Sequence, residues 1–375
     1  MNTHASPVPT TQVPIYQDVV LPRVSRTFAL TIPQLPEPLR RVVTNAYLLC
    51  RIADTIEDES ALSVAQKQHF HDFFIAVVSG EGDPDAFAIE LVPLLAHDAS
   101  DDEKDLIRHT AAVIDVTQAL NINQREALTH CLTVMSEGMP RYERSASLAG
   151  LSDQDSLDNY CYCVAGVVGE TLTALFCDYS EAIARQRDKL APLGISFGHG
   201  LQMVNILKDF WEDHQRGVCW LPRNVFLGSG VELCEVDSVA CPPGFATGYR
   251  SLIGLAHGHL RNGFQYTLVI PGHEAGIRRF CLLALALAAQ TLQLIQQHPD
   301  FRCGNEVKVS HRAVADTLIM TRMFARHDGV LRHWFGRLTR GLPLEEVDVN
   351  QPAWSHCGDQ LVWSRASQAS HTARH

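Results

Sequence analysis

Apolar residues recur along this chain at intervals of three and four, and almost nowhere at intervals of two. That period predicts helices over about 37–58, 64–79, 85–97, 101–120, 124–137, 158–177, 181–213, 245–265, 276–297 and 310–338. β-branched alternation is missing, so no sheet is expected. Pro33, Pro36 and Pro38 crowd the approach to the first of these helices. Pro38 suits a first helical turn, where a missing N–H costs nothing. Residues 214–244 carry Gly217, Pro222, Gly228, Gly230, Pro242 and Pro243 and read as loop. Gly166 and Gly169 sit inside the apolar 158–177 stretch. Each costs roughly 1 kcal/mol in a helix interior, which points to a close neighbouring helix, a ligand, or a kink.

Two of the predicted helices carry an unusual polar stripe. In the first, Tyr47, Arg51, Asp54 and Asp58 fall at offsets 0, 4, 7 and 11, which keeps them on one face. Leu48, Leu49, Ile52 and Ile56 lie on other faces. In the second, Gln202, Asn205, Asp209 and Asp213 fall at offsets 0, 3, 7 and 11. Each stripe ends in Asp-x-x-x-Asp with Glu just before the last Asp (Glu57, Glu212). Carboxylates one turn apart repel, and a single such pair is usually a solvated face. Two pairs on mostly apolar helices are harder to explain as surface, and a cation between them would relieve the repulsion. Mg²⁺ takes few protein carboxylates and fills its other positions with water and phosphate oxygens, so Asp54, Asp58, Asp209 and Asp213 are the expected Mg²⁺ ligands.

Composition narrows the picture. The 375 residues are 46% hydrophobic with a net charge of −11, enough for a large core and opposed to a nucleic-acid surface. Length alone suggests two domains, but no linker or composition shift divides the chain, so one domain is expected over 15–345. Residues 1–14 and 346–375 are polar and expected to be disordered. Eleven cysteines with no CxxC pair read as buried, reduced thiols of a cytoplasmic protein. No signal peptide is visible. The longest apolar run, Phe280 to Ala289, is about half of what spans a bilayer, so the protein is expected to be soluble, or peripheral at a membrane.

Four blocks now resemble a known family. Ser25-Arg-Thr-Phe28, Tyr47-x-x-x-Arg51-x-x-Asp54-x-x-x-Asp58, Tyr160-Cys-Tyr-Cys-Val-Ala-Gly166-Val-Val-Gly169 and Gln202-x-x-Asn205-x-x-x-Asp209-x-x-x-Asp213 are similar to the signature blocks of the squalene and phytoene synthases, in the family's order, over roughly residues 16–340. The resemblance implies an all-α isoprenoid-synthase fold around a deep apolar cavity with the acidic pairs at its mouth. It implies head-to-head coupling of two allylic diphosphates. By position, Ser25, Arg26, Phe28, Tyr47 and Arg51 would contact substrate. Val164, Ala165, Val168 and Gly169 would line the cavity, and Gln202 and Asn205 would orient the second site. Tyr160 would assist proton removal or steer a cation; its bland alternative is a core tyrosine with a satisfied hydroxyl, and for Tyr47 a structural hydrogen bond. Lys208, Arg216 and Lys308 are candidates for cofactor phosphate, or ordinary surface side chains, and Ser310 for a helix cap.

Within the family, Ser25 to Pro33 and Leu48 to Asp58 look more like squalene synthases, while Arg216 to Pro222 looks partly like the phytoene branch. The likeness implies two molecules of farnesyl diphosphate as substrate and NADPH as hydride donor, bound without a Rossmann unit because no Gly-x-Gly-x-x-Gly exists. Phytoene or dehydrosqualene formation, which needs no NADPH, is the alternative. The C-terminal membrane helix of eukaryotic squalene synthases has no counterpart. Chain-elongating prenyltransferases use Asp-Asp-x-x-Asp, but Ala53 and Thr55 flank Asp54. Terpene cyclases use an Asn-Ser/Thr-Glu triad that the second stripe lacks. Retention of all four aspartates argues against a non-catalytic assembly factor.

Overall fold

The structure, a computed structural model, describes residues 16–25, 27–236 and 242–350. The expectations for 1–14, for Arg26 and for the chain beyond 350 lie outside these residues. Among them the chain is helical, and the only extended pairing is an isolated bridge between Leu151 and Pro222. The chain opens with α1 (Tyr16–Val24) and the single turn α2 (Phe28–Thr31), neither of which the apolar period predicted. Then α3 (Glu37–Asp58) and α4 (Val64–Ser79) match their expected bounds. Local chemistry explains why. Pro36 caps α3 and Pro38 sits in its first turn. Ser63 and Gln66 form a capping box before α4, and Gly80 ends it with φ 84°, a left-handed conformation that glycine adopts without penalty.

Elsewhere the expected helices are interrupted. The 85–97 stretch is α5 (Pro84–Leu91) plus a 3₁₀ turn, and 101–120 splits at His109 into α6 (Asp101–Arg108) and α7 (Thr110–Gln118). In contrast α8 (Ile122–Ser145) runs past its expected end, with Pro140 inside it. The 158–177 stretch is α9 (Gln154–Cys161), a π-helical turn over Tyr162–Gly166, and α10 (Val167–Tyr179). The 181–213 stretch breaks into α11 (Glu181–Ala184), α12 (Arg187–Lys208) and α13 (Phe210–Gln215). After the short α14 (Arg223–Leu227), α15 (Phe245–Val269) and α16 (Ala275–Gln297) are long. The last stretch divides into α17 (His311–Phe324) and α18 (Asp328–Leu338).

The last break shows why a period cannot locate such points. Arg278, 3% exposed, donates to the carbonyls of Leu268 (3.0 Å) and Ile270 (2.7 Å) at the end of α15. It also reaches Ala325 O (3.1 Å) after α17 and Asp328 Oδ1 (2.6 Å) at the start of α18. One guanidinium thus satisfies carbonyls that two helix ends leave open. No local sequence signal announces that role.

The centre is α12, wrapped by α10, α15 and α16. Glycines set the contact with α10. A Cβ on Gly169 would lie 2.0 Å from Gly194 O, and, where the π-helical turn before α10 meets α12, one on Gly198 would lie 2.2 Å from Ala165 O. Helices α10 and α12 therefore touch backbone to backbone. Gln154–Tyr179 and Ala275–Gln297 are long and apolar enough to cross a membrane, but 72% and 56% of their apolar windows are buried in the protein; they are core helices of this fold. None of the described cysteines is joined in a disulfide to another described cysteine.

Candidate active site

Helix α3 presents its polar stripe to a mostly apolar cavity of about 300 Å³. Phe28, Tyr47, Arg51, Asp54, Val164, Ala165, Val168, Gly169, Gln202 and Asn205 line it, together with Tyr266, Phe280 and Cys281. The first block seats the wall: Ser25 Oγ accepts the Phe28 N–H at 3.0 Å, and the Phe28 ring packs on Tyr47 at 5.1 Å. Tyr47 does both things weighed for it. It lines the cavity, and its hydroxyl donates to Val24 O at 2.9 Å. Arg51 donates to the same hydroxyl at 3.2 Å and stands 3.6 Å from Glu103.

Asp58, Asp209, Asp213, Ser25 and Tyr160 are not in the wall of the cavity. The acids of the two stripes meet electrostatically through Arg216. It is bonded to Asp213, and its charge also acts on Asp58 and Asp98. Burial pushes the Asp54 carboxyl up to about 7, with Arg51 opposing and Asp58 adding to the rise. Burial raises Asp213 as well, against Arg216. Asp58 stays open to solvent, yet the protein crowded around it still lifts its pKa against Arg216 and Arg51. These acids sit in surroundings that disfavour their charge, which is the setting a bound cation relieves. No three acidic, His or Cys side chains converge on a point among the described residues. The donor set still fits Mg²⁺, whose few protein carboxylates are completed by water and phosphate oxygens.

The second stripe is not one continuous helix. Helix α12 ends at Lys208, where Tyr249 donates to the Leu207 carbonyl. The helix restarts as α13, and Asp213 N still bonds Asp209 O at 2.9 Å, so the spacing survives the break. Asp209 is bonded to Lys208. A turn over residues 301–306 closes on α13: Gly304 N donates to Glu212 Oε1 at 2.7 Å, and Arg302 lies 5.2 Å from the Trp211 ring. Lys308 follows this turn, exposed, and Ser310 caps α17 by accepting the Ala313 N–H at 3.2 Å.

Tyr160 stacks on Trp220 at 4.3 Å with 7° between the rings, and meets Tyr142 edge-on at 5.3 Å. Its phenol is held neutral well above its usual range. Burial is the main cause, then Cys161, then Asp213, Asp58 and Asp54. Tyr142 was not singled out from the sequence because it lies in no spaced motif, and Trp220, although inside the Arg216–Pro222 block, was given no role there.

A second missed group anchors the acidic end of α3. Glu57 Oε2 is 3.0 Å from His71 Nε2, and His71 Nδ1 is 3.1 Å from Ser136 Oγ. Buried Lys67 donates to the Glu57 carbonyl and to Glu143. Glu59, fully buried, accepts the N–H groups of Ala61 (3.1 Å) and His97 (3.1 Å). The turn carrying Asp54 and Asp58 is thus gripped from α4, α8 and the 97–99 loop. Glu57 was visible as part of the repeated motif; His71, Lys67 and Ser136 carried no signal.

One buried acid gives a pH test. Burial, with Asp155 adding, raises Asp158 to about 7, and its Oδ1 has no hydrogen-bond partner. The folded state therefore keeps a proton that the unfolded chain releases near pH 4. This contribution to stability is complete below pH 4 and is lost as pH rises through 7. Asp158→Asn removes the titration. The variant is expected to gain on the parent as pH rises, by up to about 4 kcal/mol. Urea unfolding of both proteins at acid and alkaline pH measures it; a difference that does not vary with pH contradicts the raised pKa.

Residues 21–313 match the Squalene/phytoene synthase family model. The squalene synthase of Gibberella zeae is 30% identical over 331 residues, covering 85% of this chain and 68% of that protein. Among solved structures, the complex of TcSQS with BPH1237 superposes with a TM-score of 0.67 at 20% identity, over 91% of this chain and 95% of that one. A dehydrosqualene synthase in complex with ligand gives 0.59 at 20% identity, over 82% and 95%. These two likenesses establish the all-helical isoprenoid-synthase fold.

Proposed function

The chain belongs to the squalene/phytoene synthase family, and from that premise we propose that it couples two farnesyl diphosphates head to head, through presqualene diphosphate, to squalene. The observation that carries the reading is that Arg216, bonded to Asp213 of one acidic helix, also acts on Asp58 of the other, next to an apolar cavity that Asp54 lines. Ionising an allylic diphosphate needs positive charge on the leaving group and dryness around the cation left behind. In this proposal Asp54, Asp58, Asp209 and Asp213 hold Mg²⁺, which supplies the charge that neutralises the departing diphosphate. Arg51, oriented by Tyr47, is the protein's own donor to it. Ser25, Arg26 and Phe28 contact the first substrate, and Gln202 and Asn205 orient the second.

The walls around Val164, Ala165, Val168 and Gly169 keep water from the cation. Tyr160, neutral and flanked by Trp220 and Tyr142, offers a hydroxyl hydrogen bond to the leaving group, and its ring offers a face to passing positive charge. NADPH, if bound, would supply the hydride that ends the reaction. Lys208 and Arg216 are already engaged by Asp209 and Asp213, which leaves Lys308 as the exposed cation for the cofactor's phosphates. The test is diphosphate release from farnesyl diphosphate. Release that stops when Mg²⁺ is chelated and returns when it is restored supports the reading. Release that ignores chelation, or no release at all, refutes it.

A further inference from the structure

The last two described helices, with the residues beside them, carry a charge opposite to that of the chain as a whole. Residues 308–340 contain seven Lys and Arg against two Asp, a net of +5 in a chain of net −11. All seven cations (Lys308, Arg312, Arg322, Arg326, Arg332, Arg337 and Arg340) are exposed. None takes part in an ion pair among the described residues, whereas Asp328, one of the two acids, is bonded to buried Arg278.

The same surface is apolar where most surfaces are not. On α17, Arg312, Asp316, Ile319 and Met323 follow one another at steps of four, three and four, which is one helix face, and Arg326 lies in the turn just after the helix. Ile319 is 55% exposed and Met323 62%. The opposite face seats Thr317 and Thr321 in the interior, with Thr317 Oγ1 accepting from Gln290 of α16 at 3.0 Å. On α18, exposed Val330 and half-buried Trp334 precede Arg337 at the same spacing. A helix that seats threonines and Phe324 inward while Ile319 and Met323 stand outward near arginines presents a mixed apolar and basic face suited to an interface.

We infer that the outer face of α17, extended by the basic residues of α18, docks this protein on an anionic lipid bilayer. Ile319 and Met323 enter the headgroup region, and Arg322, Arg326 and their neighbours pair with lipid phosphates. The charge selects the partner: unpaired arginines around an apolar centre match a negatively charged, oily surface. The placement also makes physical sense. Helix α16, which α17 covers, contributes Phe280, Cys281 and Ala284 to the cavity. A bilayer on α17 would lie one helix away from it, about 10 Å. The binding itself does not depend on the reaction proposed above.

The test is sedimentation of the full chain with phosphatidylcholine vesicles and with vesicles of about one third phosphatidylglycerol. Binding is expected to be at least about ten-fold stronger to the anionic vesicles and to weaken in high salt. Ile319→Glu with Met323→Glu, and separately Arg322→Glu with Arg326→Glu, should each lower it by about ten-fold or more. Both pairs are solvent-facing, so melting temperature and diphosphate release should stay at the parent's values; Arg322→Gln with Met323→Gln serves if a glutamate pair fails to fold. Equal binding to both vesicles, or full binding by both variants, overturns the inference. So does a parent that runs as a dimer and becomes a monomer in these variants, which would assign the face to a second copy of the chain.

Discussion

Asp54→Asn is expected to lower the condensation rate by on the order of 10²–10³-fold, as loss of one preorganised electrostatic contact to a leaving group commonly does, and Asp213→Asn by a similar factor. What makes the prediction sharp is the expected stability. Burial already holds both carboxyls above their usual range, so an uncharged amide of the same shape relieves a cost. The melting temperature of Asp54→Asn should equal or exceed the parent's. Activity falling while stability holds separates a cation-binding role from a structural one. Steady-state assays over a Mg²⁺ series beside thermal melts provide both readings; an active variant, or an inactive one that has also lost stability, contradicts the role given to Asp54.

Gly169→Ala should be the most damaging small change to the fold. Its new methyl would lie 2.0 Å from Gly194 O and 2.7 Å from Gly194 C. Both are backbone atoms of α12, so no rotamer can give way and the helices must separate. Overpacking of this kind costs about 1–3 kcal/mol, and more where backbone must move. The shift would also reach the cavity. Thr173 donates to Gly169 O at 2.8 Å and sits 3.0 Å from the hydroxyl of Tyr266, a cavity residue. Gly336→Ala is the control, because nothing lies within 4 Å of its would-be Cβ on α18. It should stabilise by roughly 0.5–1 kcal/mol. Denaturant titration of the two variants compares them directly; a Gly169→Ala protein as stable as the parent would mean that α10 and α12 do not meet this closely.

The particular elements show where sequence reading succeeds. Helices α3 and α4 were legible to the residue because their ends are written locally, in Pro36, Pro38, the Ser63–Gln66 box and Gly80. The polar stripe of α3 was legible because a helix fixes which residues share a face. The glycine pair was read as a close helix, a ligand or a kink; Gly169 proves to be a close helix approach, and Gly166, in a π-helical turn, is also closely approached, its would-be Cβ lying 2.8 Å from His199 Cε1. The breaks were not legible. At Asp209 a tyrosine forty residues on takes the carbonyl freed at Leu207, and between α17 and α18 the partner is Arg278. Such bonds form between segments distant in sequence, and a periodic pattern runs straight through them. The same applies to Tyr142 and His71, which the fold delivers from outside any motif, and to Trp220, whose block was noticed without assigning it a role.

Product identity tests the central claim most directly. The purified protein is incubated with farnesyl diphosphate and Mg²⁺, with and without NADPH, and the extracts are analysed by gas chromatography–mass spectrometry. Squalene formed only in the presence of NADPH is the result predicted. Dehydrosqualene formed with or without NADPH, or phytoene formed only from geranylgeranyl diphosphate, would contradict it.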